Sequence, residues 1–77
     1  MSDIPREERL STAQLRVAEG EERVARQEII IGELERDGHA ELAVNARAVL
    51  AAFKTSLQLL RDDLWRIENE PPTIRSE

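Results

Sequence analysis

His39 is the only imidazole in the chain, and it ends the run Glu35-Arg36-Asp37-Gly38-His39, with carboxylates two and four positions before it. An imidazole serves as a general base or a metal ligand when a second group orients it beside a nucleophile or within a cleft. Glycine at position 38 places this histidine in or beside a turn, where a solvent-facing cap is the simpler reading. A metal site from Glu35, Asp37 and His39 would need several side chains to converge across that turn, without a recognised ligand spacing. No Glu-x-x-His occurs, so the inward-facing motif of di-iron bundles is missing. The adjacent carboxylates Glu7-Glu8 and Asp62-Asp63 point to different sides of a helix and do not form the facing pair of a hydrolase. With three scattered glycines, one histidine and no cysteine, neither a phosphate loop nor a nucleophilic triad can be assembled. The expectation is a non-enzymatic chain with no catalytic residue, no cofactor and no metal.

Composition narrows the remaining classes. The 77 residues are 40% hydrophobic and 35% charged but only 3% aromatic, from Phe53 and Trp65. Alanine, leucine, glutamate and arginine dominate, as in long helices. The net charge of −5 disfavours binding to nucleic acid, and the arginines are interleaved with glutamates rather than clustered. No apolar run approaches the roughly 20 residues of a membrane span. The opening residues Met1 to Glu8 lack the basic start and apolar core of a secretory signal, so a cytoplasmic chain is expected. Absence of cysteine removes disulfides. A chain this short gains only about 3–5 kcal/mol from its own core, which leaves oligomerisation as its remaining support.

The elements that position these groups are helices. Proline occurs only at Pro5, Pro71 and Pro72, bracketing one helical region, and Gly38 interrupts it. Arg36 suits the negative end of a first helix, and Asp37 or His39 could cap a second, with Glu41 in its first turn. The pattern predicts helix 1 at 4–36, a turn at 37–39 and helix 2 at 39–68. Residues 1–3 are expected to be disordered and 70–77 to form a flexible tail. So short a link makes the helices antiparallel neighbours, and the fold class is an all-α, two-helix αα-hairpin.

In helix 2, Ala46, Leu50, Phe53, Leu57, Leu60, Leu64 and Ile67 alternate spacings of four and three, a coiled-coil stripe. A flanking row of Leu42, Val49, Ala52, Ser56 and Leu59 widens it. In helix 1, Leu10, Val17, Val24 and Ile31 repeat every seven residues as a positions. The matching d positions are Ala13, Gly20, Gln27 and Leu34. Arg9, Arg16 and Arg23 occupy g, while Gln14, Glu21, Glu28 and Glu35 occupy e. Two copies of helix 1 paired in parallel would set Arg16 and Arg23 against Glu21 and Glu28, although the same residues also suit pairs within one helix. Gly20 is either a tolerated mid-helix glycine or a notch for close approach. Gln27 either fixes register or is exposed.

Apolar width exceeds one seam. Ile29, Ile30 and Ile31 cannot all face helix 2, because successive residues lie about 100° apart around a helix. Leu59-Leu60 and Leu64-Trp65 present the same excess. An isolated hairpin would leave an apolar strip in water, the mark of a protein–protein surface.

Three blocks carry a family resemblance: Val17-Ala18-Glu19-Gly20-Glu21, then Leu34-Glu35-Arg36-Asp37-Gly38-His39, then Ala46 to Phe53 with Ser56-Leu57. They resemble the "VAEGE", "LERDGH" and "A-x-x-L-L-x-x-F" blocks of short uncharacterised helical-hairpin proteins in rhizobia-like alphaproteobacteria. The resemblance spans residues 16–64 and implies a bacterial helical hairpin. It carries over no site residue. Ala40-Glu41-Leu42-Ala43 after the turn, and Trp65, depart from that pattern.

The sequence thus predicts a protein–protein interaction module: a homodimeric small adaptor or regulator in which two hairpins complete a four-helix bundle. Its expected interface is Leu10, Val17, Val24, Ile31, Leu50, Phe53, Leu57, Leu60 and Leu64. The alternative is an accessory subunit that docks its apolar face on a larger enzyme or signalling protein. An acidic nucleic-acid mimic would need carboxylates aligned on one face, and their mixing with arginine argues against it.

Overall fold

A computed structural model describes residues 4–71. Expectations for residues 1–3 and 72–77 lie outside them. Two α-helices make up the described chain: α1, Arg6–Arg36, and α2, Ala40–Glu68. Pro5 is the N-cap of α1, and its carbonyl accepts from the amides of Glu8 and Arg9, both at 3.1 Å. The helix therefore starts two residues later than the pattern alone suggests. Proline fixes its own φ and has no amide to lose at this position.

The turn is closed by backbone geometry. Gly38 has φ +79, the left-handed conformation that a side chain disfavours. It lets the His39 amide reach back to the Leu34 carbonyl at 2.8 Å and the Gly38 amide to that of Glu35 at 3.2 Å. This is a Schellman ending, which satisfies carbonyls that the helix leaves open. His39 is then the N-cap of α2 through its carbonyl, which accepts from the Ala43 amide at 2.9 Å, while its side chain makes no capping bond.

So tight a turn lays α2 back along α1, and the two heptad stripes meet. In α1 every a and d position from Leu10 to Leu34 is half-buried or buried. In α2 the same holds for Ala43, Ala46, Leu50, Phe53, Leu57, Leu60, Leu64 and Ile67. Ala43 extends the predicted stripe one step back and is 1% exposed. Gly20 proves to be a notch: a Cβ placed there would lie 3.0 Å from Leu57 Cδ1 and 3.4 Å from Leu60 Cδ1. Gln27 is half-buried in the seam and donates from Nε2 to the Ala46 carbonyl at 2.9 Å. That bond ties α1 to one level of α2 and fixes register, as buried amides do in coiled coils.

The three isoleucines in succession show how narrow the seam is. Ile31 is 8% exposed, Ile30 43% and Ile29 63%. Buried apolar residues are Ala13, Ile31, Ala43, Ala46 and Leu57, three of them alanines. A core of this size cannot bury the larger side chains on the flanks.

Two glycines should respond to alanine in opposite directions. At Gly32 a Cβ would meet nothing within 4 Å, so Gly32→Ala should stabilise the helix by up to about 1 kcal/mol. At Gly38 the positive φ makes alanine strained, and Gly38→Ala should cost about 1–2 kcal/mol. Urea unfolding at fixed protein concentration measures both. Equal effects of the two changes would mean that the turn does not rely on its left-handed residue.

Candidate functional site

His39 and the two carboxylate pairs singled out in the sequence lie on separate parts of the hairpin. His39 is exposed at the turn. Glu7 and Glu8 sit exposed in the first turn of α1, and Asp62 and Asp63 are exposed on α2. Asp63 accepts from Arg66 at 3.3 Å and Asp62 from Gln58 at 3.0 Å, both neighbours on α2. Among the described residues, no three His, Asp or Glu side chains converge to hold a metal ion. What the structure does organise is the surface on either side of the seam.

One flank carries the e positions of both helices, and it is ionic. Glu21 accepts from Arg61 at 3.1 Å, and Glu35 pairs with Arg47. Glu28 and Lys54 occupy the e positions between these two pairs. Exposed pairs of this kind contribute only about 0–1 kcal/mol each, so they select register and orientation more than they stabilise. They also engage, within one chain, two of the carboxylates in the e row of α1. In the parallel pairing of two helix-1 copies, Glu21 would have faced a second copy. The α2 partners Arg47 and Arg61 were legible in principle, by writing the α2 heptad beside that of α1 in reverse order.

The other flank carries the g positions, with the c positions of α2 beyond them. Near the open end it is charged. Arg9 grips Glu70 through two bonds of 3.0 and 2.9 Å, and Arg6 donates to the carbonyls of Ile67 at 2.9 Å and Glu68 at 3.3 Å. A guanidinium is thus held on the last carbonyls of α2, where the helix dipole is negative. Glu70, the first residue of the expected tail, takes part in these bonds.

On α2, from Leu42 to Leu59, the same flank is apolar. Leu42, Val49 and Leu59 are 54%, 43% and 61% exposed, and Ala52 and Ser56 between them are exposed too. Ile30 of α1 borders this row. These α2 residues recur at helical spacing and form a second stripe that nothing in the hairpin covers. Leu15, Ile29, Val44 and Trp65 are also exposed but fall on other faces. Isolated apolar residues of that kind are ordinary on protein surfaces.

The nine residues expected at the interface have a definite place. Leu10, Val17, Val24, Leu50, Phe53, Leu60 and Leu64 are half-buried, and Ile31 and Leu57 are buried. All nine lie on the seam between α1 and α2 of the same chain. The apolar surface left to water is a different set, one row further round α2. A shallow hollow of about 410 Å³ at the open end, lined by Ala13, Leu60 and Ile67, is rimmed by Arg9, Arg16, Asp63 and Arg66.

The clamp at the open end gives the hairpin a pH-dependent element. The bond from Arg9 lowers the pKa of Glu70; desolvation opposes it, and the charges of Arg9 and then Arg6 add to the lowering. A carboxylate depressed in the folded state stabilises it above its unfolded pKa and loses that contribution as pH falls through the folded value. The Glu70 carboxyl should therefore titrate below the ordinary glutamate range by NMR, and Arg9→Ala should raise its midpoint. An unchanged midpoint in that variant would remove Arg9 as the cause.

Among the described residues, neither helix is long and apolar enough to cross a membrane. Set against models of protein families, curated proteins and solved structures, the chain matches none.

Proposed function

We propose that the protein is a non-enzymatic interaction module that acts as a small homodimeric adaptor or regulator. The observation that carries this reading is the uncovered stripe of Leu42, Val49 and Leu59 beside Ile30. Its setting adds weight. A hairpin whose core holds three alanines and two larger residues is thin for its length, and small domains of this kind gain stability by association. A second hairpin laid on this flank would cover the stripe and enclose the half-buried residues of the seam, giving a four-helix bundle. Docking on a larger protein would use the same stripe; the thin core is what favours a copy of the chain itself.

Light scattering behind size exclusion, over a concentration series and with far-UV circular dichroism, tests this. The expected result is a helical species of twice the chain mass. Leu59→Glu should give a monomer that stays helical, because Leu59 is 61% exposed in the hairpin and adds little to its seam. A well-folded monomer at millimolar concentration would overturn the homodimer. A polydisperse chain that becomes ordered only when another protein is added would replace it with the accessory subunit.

A further inference from the structure

We infer that the hollow at the open end of the hairpin is a binding site for a small amphipathic carboxylate, an apolar body of roughly six to ten carbons with one anionic head. The α2 residues of the hollow follow the exposed stripe that ends at Leu59, so the inference goes beyond the homodimer and does not depend on what covers that stripe. Its floor is apolar: Ala13 from α1, Leu60 and Ile67 from α2, and Ile4 ahead of α1. Alanine at this d position is too short to fill the space that Leu60 and Ile67 leave beside it. The volume, about 410 Å³, suits a small molecule.

The rim supplies the charge. Arg9 and Glu70 close this flank across the seam with bonds of 3.0 and 2.9 Å. One heptad nearer the turn a similar pair recurs, with Arg16 seven residues after Arg9 and Asp63 seven before Glu70. Aspartate is one methylene shorter than glutamate, and here no bond crosses. Asp63 accepts instead from Arg66 on its own helix at 3.3 Å, and Arg16 makes no ion pair among the described residues. Glu19, one turn further along α1, is exposed and makes none either. Arg9, Arg16 and Arg66 thus share the rim with one carboxylate, and Arg16 is uncommitted. A guanidinium receives a planar carboxylate through two parallel bonds. A doubly charged phosphate fits less well, because Asp63 on the same rim repels the second charge.

Titration of the full-length protein with sodium octanoate at constant ionic strength, followed by amide NMR, tests the site. The amides of Thr12, Ala13, Leu60 and Ile67 should shift together and saturate, while acetate and octan-1-ol should move them far less. Arg16→Gln should weaken octanoate binding about three- to fivefold, as expected for one exposed charge pair. Asp63→Asn should tighten it, since the change removes the opposing charge and releases Arg66. Both side chains are exposed, so neither substitution touches the seam. No saturable shift, shifts confined to the row from Leu42 to Leu59, or equal affinity for octan-1-ol would overturn the site. So would an Arg16→Gln protein that binds octanoate as tightly as the parent. The homodimer is judged separately, by mass, and its failure would leave these expectations unchanged.

Discussion

Two straight helices share one line of contact, and that limit governs the rest of this molecule. A third or fourth helix would give each apolar side chain a second neighbour; a hairpin gives it one. The a and d residues of α1 and α2 fill the line, with Gly20 leaving room for Leu57 and Leu60. Everything apolar that lies a further step around either helix must face water. Ile29, Ile30 and Ile31 pass through that boundary in three consecutive residues.

The two flanks of the line are not equivalent, and the difference is chemical. On the e side, carboxylates of α1 meet guanidinium groups of α2, which tolerate water on their outer surface and need no further cover. On the g side the α2 half carries leucine and valine from Leu42 to Leu59, while the charges lie on α1. Solvation therefore favours leaving one flank open and covering the other. A chain with this asymmetry has one preferred face for a neighbour, even though its overall composition is strongly polar.

Much of the fold was legible because helices are local. The heptads, the glycine of the turn and the bracketing prolines each act within a few residues, and each marks its element in the sequence. The placement of partners across the hairpin was harder to read. Glu21 with Arg61, and Arg9 with Glu70, depend on which register the turn imposes, and that register is set by a Schellman geometry no single residue spells out. The nine seam residues were readable as apolar contacts but not as contacts within one chain. A stripe reads the same whether its neighbour is the next helix or another molecule. The row that remains open, from Leu42 to Leu59, was visible as a widening of the stripe. Its exposure became plain only once the first seam had been assigned.

The turn at Gly38 also shapes the way the chain reaches this state. Contacts between α1 and α2 lie at sequence separations that grow steadily from the turn, from Glu35 with Arg47 beside it, through Gln27 with Ala46 at 19 residues, to Arg6 with Glu68 at 62. Each added contact closes only a small further loop once the preceding one is in place, so its entropic cost stays low. Assembly can run from the turn outward like a zip, and opening runs in reverse. Protection of backbone amides against exchange with solvent would then fall from the Gly38 end to the Glu70 end, a graded ladder in place of a single cooperative threshold.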